Sequence, residues 1–214
     1  MKPFLLVLSS PSGGGKTTIA KRLLQGRDDL GYSVSATTRP IRPREVDGVD
    51  YHFLTRDEFQ RRVDAGEFVE WATYGGELYG TLRREVERLF ADGRVAILDI
   101  EVNGARQVRA STPDSVHVFV LPPSAATLVE RLGRRATETP TKRRERVLLA
   151  ADELAAVTEY DYVIINDDLV TAVSNVAAIV EAEGRRVSRQ RRLLGGIERL
   201  RQEVIEEASR IGTA

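Results

Sequence analysis

Ten residues near the start, Ser9-Ser10-Pro11-Ser12-Gly13-Gly14-Gly15-Lys16-Thr17-Thr18, carry most of the pattern G-x-x-x-x-G-K-[ST], a turn built to hold phosphate. Backbone N–H groups from Ser12 and Gly13 through Thr18 would face the phosphates at the start of a helix, whose N-terminus favours negative charge. Lys16 would bring a positive charge to the β- and γ-phosphates, and the Thr17 hydroxyl would be a ligand to Mg²⁺. The first position departs from the pattern. Ser10 stands where glycine relieves strain as the chain leaves a strand, and so small a residue is expected to be tolerated. Asp99 ends the apolar run Val95–Ile100 and would lie at the carboxyl edge of a sheet, where open α/β folds bind their ligands. That makes it a second candidate for the metal, with a simple turn cap as the other reading.

A second group of residues lies between Ser35 and Thr81. Arg39 and Arg42 are three apart, and the flanking Pro40 and Pro43 hold the segment extended. Two guanidinium groups so placed can fork onto one phosphate, and the hydroxyl of Tyr51 adds a donor. Phe68-Val69-Glu70-Trp71 offers a carboxylate beside the only tryptophan, and Leu78-Tyr79-Gly80-Thr81 a phenol and a hydroxyl. Together these residues make a phosphate clamp and a polar pocket.

The elements that must position these groups follow from hydrophobic pattern. Phe4–Leu8, Val95–Ile100, Val116–Leu121 and Tyr162–Ile165 are continuous apolar runs, as expected of strands buried on both faces. Helical patterns alternate with them at Lys16–Gln25, Gly104–Ala110, Ser124–Arg131, Lys142–Thr158 and Leu169–Glu183. That alternation predicts an α/β fold, a parallel sheet flanked by helices. Residues 33–93 break the rhythm and read as an inserted α+β lobe, with one helix opened by the capping box Thr55-Arg56-Asp57-Glu58. Gly133 to Arg146 is dense in Arg and Lys and reads as a basic flap or lid, within about residues 125–150. The core is then 1–32 with 94–183, and 184–214 is a charged helical extension, read as a short helix with a solvated face.

The stretch S-x-T-T-R-x-x-R-x-x-E-x-x-G-x-D-Y-x-F, from Ser35 to Phe53, resembles the signature of the guanylate kinase family, and the likeness runs from Phe4 to about Glu183. The resemblance implies a P-loop NTPase core, ATP with Mg²⁺ as phosphoryl donor, and GMP as acceptor, with dGMP as an expected second acceptor. It implies that Arg39, Arg42, Tyr51 and Tyr79 hold the GMP phosphate with Glu45 supporting the Arg pair. Ser35, Glu70 and Thr81 would read guanine, helped by Glu101. On the donor side it implies Arg131 and Arg135 on ATP, Arg146 at the transferring group, and Asn166 and Asp167 beside the adenine. Four positions depart from the family pattern: Ser10 for Gly or Ala, Glu101 for Asp, Asn103 for Gln, and Ala136 for Gly. None removes a charge that the reaction requires.

Bulk composition narrows the remaining classes. Lys plus Arg (32) balance Asp plus Glu (32), which gives no expectation of a nucleic-acid partner. No apolar run is long enough to span a membrane, and the absence of cysteine suits a reducing compartment, so a cytoplasmic protein is expected. Two rivals share the same residues. A catalytically inactive interaction module has no use for Lys16, Thr17, Arg131, Arg135 and Arg146, and a sugar-phosphate kinase has none for a guanine-reading Glu70, Ser35 and Thr81. Oligomeric state is left open by the sequence.

Overall fold

A computed structural model of the chain describes residues 2–133 and 140–211. Its elements run β1 (Leu5–Ser9), α1 (Lys16–Leu23), β2 (Leu30–Tyr32), β3 (Ser35–Thr37), β4 (His52–Phe53), α2 (Arg56–Asp64), β5 (Phe68–Tyr74), β6 (Glu77–Leu82) and α3 (Arg83–Ala91). Then follow β7 (Val95–Asp99), α4 (Val102–Ser111), β8 (Val116–Leu121), α5 (Ala125–Gly133), α6 (Pro140–Ala155), β9 (Tyr162–Ile165), α7 (Leu169–Gly184) and α8 (Arg191–Ile211).

Five strands form a parallel sheet in the order β2-β7-β1-β8-β9. All five residues of β1 are buried, and their alternation divides them between two helical layers. Leu6 and Leu8 pack with Ile19, Ala20 and Leu23 of α1 and with Val176 and Val180 of α7. Leu5 and Val7 pack on the other side with Val86 and Leu89 of α3 and with Ala105 and Val108 of α4. A strand covered on both faces must be apolar at every position, which is why its sequence shows no alternation. The chain passes from β1 to one side of the sheet and later adds β8 and β9 on the other, so a crevice opens at the carboxyl end of β1.

The second sheet has the order β4-β3-β6-β5 and is mostly antiparallel. Its core is Ala36, Phe59, Phe68, Leu78 and Leu82, with the Phe59 and Phe68 rings stacked at 4.4 Å. Helix α2 begins where the capping box predicts, with Thr55 accepting from the Glu58 N–H.

Three details were not evident from the pattern. The edge strand β2 is only three residues long and too short to show a period. Segment 33–93 contains a second helix, α3, and this helix buries Val86 and Leu89 against the parallel sheet. The region after Glu183 is not uniformly solvated. Arg189, in a 3-10 turn at Val187–Arg189, is buried, pairs with buried Glu183, donates to the Asp114 carbonyl at 2.7 Å, and lies 4.3 Å from the Phe4 ring centroid. Beyond it α8 is a 21-residue helix.

Candidate active site

The loop between β1 and α1 is held from three sides. Within it, the Gly14 N–H donates to the Pro11 carbonyl at 2.8 Å. From the end of β9, buried Asn166 donates its amide to the Gly14 carbonyl at 2.9 Å. From α6, Glu153 accepts the Ser12 N–H at 3.0 Å and Arg146 donates to the Ser12 hydroxyl at 3.1 Å. Gly13 and Gly15 take φ of 84° and 95°, a region that favours glycine. The Ser10 departure is accommodated within this turn. Its hydroxyl bonds the Pro11 carbonyl at 2.9 Å, and a Cβ on Gly14 would fall 2.6 Å from the Ser10 Cβ. With serine at the first position, Gly14 supplies the missing space.

Lys16 and Thr17 open α1 against the end of β7. Lys16 Nζ lies 3.6 Å from Asp99 Oδ1 and 3.2 Å from Glu101 Oε1. Burial alone would lower the Lys16 pKa, but Asp99, Glu101 and Glu153 outweigh it, so the ammonium is held charged well above its ordinary range. Thr17 donates its hydroxyl to Asp99 Oδ2. This pair fits Mg²⁺, which binds through one or two protein oxygens and completes its shell with water and substrate phosphates.

The opposite wall belongs to the second sheet. Arg39 makes a two-pronged bond to Glu45, at 3.0 and 2.8 Å, and Glu45 also accepts the Arg42 N–H at 2.8 Å. Arg39 chiefly, through its hydrogen bonds, holds the Glu45 carboxyl below its ordinary range. The Arg39 guanidinium lies 5.3 Å from the Tyr51 ring centroid, and Tyr51 meets Tyr79 edge-on at 6.1 Å. Burial and the Asp99 charge raise the Tyr51 pKa, which keeps that phenol a hydrogen-bond donor.

Glu70 lies between these groups and the core, only 5% exposed. Thr81 donates its hydroxyl to Glu70 Oε1 at 2.7 Å. Burial pushes the Glu70 carboxyl up to about 7, against the pull of Thr81 and with a further push from Glu101. Thr81 itself is fully buried behind Glu70 and gives its hydroxyl proton to that carboxylate. Trp71 is no partner to Glu70 in the pocket. Alternation along β5 turns the indole outward, where it is 38% exposed.

One cleft of about 380 Å³ joins both walls. Ser12, Gly13, Gly15, Lys16, Thr17, Thr18 and Asp99 line one side; Ser35, Arg39, Arg42, Tyr51, Glu70 and Tyr79 line the other, with Glu101 between them. Arg131 stands at the rim, donating to the Asn166 carbonyl at 3.4 Å. Asp167 is exposed and bonds the Asp168 N–H at 2.7 Å, while Asp168 caps α7. Arg135 and Ala136 lie outside the described residues. Neither histidine faces the cleft: His52 contacts Glu85 and His117 contacts Ser115.

Three residues had no part in the site as read from the sequence. Glu153 joins α6 to the phosphate loop, and its carboxyl is raised by burial and by neighbouring Glu101. Gly104 leaves the space occupied by Glu70, since a Cβ there would fall 2.4 Å from Glu70 Oε2. Gln107 holds both backbone groups of Trp71, accepting its N–H at 3.2 Å and donating to its carbonyl at 2.7 Å. This side chain satisfies the free edge of β5 and ties the second sheet to α4. Gly104 and Gln107 share a helix face by their spacing of three, a signal the sequence offered; Glu153 is 141 residues from Ser12 and gave none.

Fold and cleft define a P-loop nucleotide phosphotransferase: a parallel sheet whose first strand feeds a phosphate loop, facing a lobe with an arginine clamp. The sequence profile of the family described as guanylate kinase matches residues 2–183. A guanylate kinase from Symbiobacterium thermophilum is 48% identical over 88% of this chain and 89% of its own length. One from Thermotoga maritima is 45% identical over 95% of this chain and 97% of its own. The crystal structure of guanylate kinase from Anaplasma phagocytophilum superimposes with a TM-score of 0.73 at 34% identity, covering 87% of this chain and 89% of that one. This chain belongs to the guanylate kinase family.

Proposed function

We propose that the chain transfers the γ-phosphoryl group of ATP to GMP, giving ADP and GDP, with dGMP as a second acceptor. The observation that carries the acceptor assignment is a buried carboxylate, Glu70, in the same cleft as the phosphate loop. Guanine presents two donors side by side, N1–H and the 2-amino group, and a carboxylate can accept both. Adenine presents an acceptor at N1 and no 2-amino group. A mismatched base would leave Glu70 buried with Thr81 as a donor but without the two donors of guanine, which is costly. Ser35 is the remaining hydroxyl for the base. Thr81 acts through Glu70, fixing one carboxylate oxygen.

Arg39, Arg42, Tyr51 and Tyr79 hold the acceptor phosphate, with Arg39 already oriented by Glu45. That phosphate is anionic at neutral pH, so the nucleophile needs no general base. Catalysis is alignment and charge neutralisation. Lys16, the loop N–H groups, Arg131 and Arg146 serve the donor phosphates, and Arg135 is assigned there by its position in the family pattern. Mg²⁺, held through Thr17 and Asp99, would neutralise phosphate charge when bound with ATP. Closure of the basic flap and the acceptor lobe over the cleft would exclude water that otherwise takes the phosphoryl group. The absence of cysteine suits the cytoplasm as the setting.

A coupled assay of ADP release with GMP, AMP, UMP and CMP tests the assignment. Turnover is expected with GMP and only background with the others. No turnover with GMP, or equal turnover with AMP, refutes it.

A further inference from the structure

Every residue of α8 from Leu193 to Ile211 is exposed. Its apolar residues nevertheless fall on one side. Leu193, Ile197, Leu200, Val204 and Ile211 follow the three-and-four spacing of a helix seam, and Leu194 and Ile205 widen it to a stripe of about 140° at about 100° per residue. Leu193, Leu200 and Val204 are 60%, 58% and 60% exposed. An amphipathic helix ordinarily buries such a stripe. Among the described residues the body grips the root of the helix, through buried Arg189 and its bonds to Glu183 and Asp114, so α8 projects about 27 Å from a fixed base at 1.5 Å per residue.

The charge pattern along α8 indicates what covers the stripe. Residues 191–201 hold four arginines and one glutamate, and residues 202–211 hold three glutamates and one arginine. The first half is therefore net positive and the second net negative, in a chain of formal net charge zero. A second α8 laid parallel would set like charge against like at both ends. Laid antiparallel, it sets the basic half of each helix against the acidic half of the other, and the helix dipoles are opposed as well.

We propose that α8 is a homodimer interface, in which the helices of two copies pair antiparallel about a two-fold axis near Gln202. One patch then serves both partners, as a two-fold interface requires. Leu200 and Val204 of one helix meet Val204 and Leu200 of the other at the centre, and Leu193 of each meets Ile211 of its partner. A single helix pair lies at the small end of stable interfaces, so the dimer is reversible and depends on concentration. No residue assigned to the cleft lies in α8.

Sedimentation equilibrium on the full chain should show reversible association from 23.8 kDa to twice that mass. Leu200→Glu combined with Val204→Glu should remain monomeric at every concentration while retaining GMP turnover, which shows that the body is folded. Because the chain has no cysteine, single cysteines report orientation. A mixture of Leu193→Cys and Ile211→Cys proteins should form the mixed disulfide on mild oxidation, and Leu193→Cys alone should not cross-link to itself. A parent chain that stays monomeric at high concentration overturns the proposal, because the stripe is then covered within one chain or left bare. Dimerisation of the double-Glu variant overturns it by placing the interface elsewhere, and self-linking of Leu193→Cys overturns the antiparallel arrangement.

Discussion

Replacing Glu70 with glutamine should make the free protein more stable at alkaline pH while removing its hold on guanine. Glutamine keeps the length of the side chain and still accepts the Thr81 hydroxyl, but it cannot ionise. The Glu70 carboxyl is raised by burial from 4.5 to about 7. A carboxyl with a raised folded pKa binds its proton more tightly in the fold than in the unfolded chain. Its stabilising contribution is therefore complete below about pH 4.5 and lost as pH rises through about 7. At about 1.4 kcal/mol per pKa unit the loss is about 3 kcal/mol. Glu70→Gln avoids it, so the variant should match the parent near pH 4.5 and exceed it by about 3 kcal/mol at about pH 8. For a chain of this size that is about 6–12 °C in Tm. Thermal unfolding of both proteins, without nucleotide and across this pH range, measures the difference. The same substitution removes two charge-assisted bonds to guanine; at roughly 1.5 kcal/mol each, kcat/KM for GMP should fall about 100-fold or more, with KM for ATP nearly unchanged. Equal stability of the two proteins at high pH would refute the burial argument. Unchanged KM for GMP would refute the guanine assignment.

Lys16→Met should lower kcat by about a thousandfold or more while far-UV circular dichroism is unchanged, since the charge serves the phosphates rather than the core; near-normal turnover would overturn the phosphate-loop assignment. Gly104→Ala places a Cβ 2.4 Å from Glu70 Oε2 and should raise KM for GMP by about 10–100-fold by displacing the carboxylate; an unchanged KM would show that Glu70 does not depend on that space. Gln107→Leu removes both bonds to Trp71 at similar volume and should raise KM for GMP roughly thirtyfold, at about 1 kcal/mol per bond, with ATP little affected; equal effects on both nucleotides would mark a general loss of stability. Ser10→Gly should leave steady-state ATP kinetics within a few-fold, because the hydroxyl bonds only its own turn; a loss of orders of magnitude would reveal a role for that hydroxyl.

The phosphate loop, the four long strands of the parallel sheet and the alternation of strand with helix were legible in the sequence because each is a local pattern. Continuous apolar runs mark strands with both faces covered, and glycine marks the positions with positive φ at Gly13 and Gly15. The Ser35–Phe53 signature was legible for the same reason: Arg39, Arg42 and Glu45 lie within seven residues and close on one another. Tertiary structure decided what depends on distant segments. It set Thr81 behind Glu70, turned Trp71 away, and brought Asn166 and Glu153 to the loop from the far end of the chain. It also decided the electrostatics. Sequence marked Glu70 as a carboxylate for guanine, but the burial that raises its pKa, with a further push from Glu101, exists only once strands and helices from different segments exclude water around it. The period of α8 was present in the sequence, yet only the folded chain shows its apolar stripe facing solvent, because whether a helix face is covered depends on where the rest of the molecule lies.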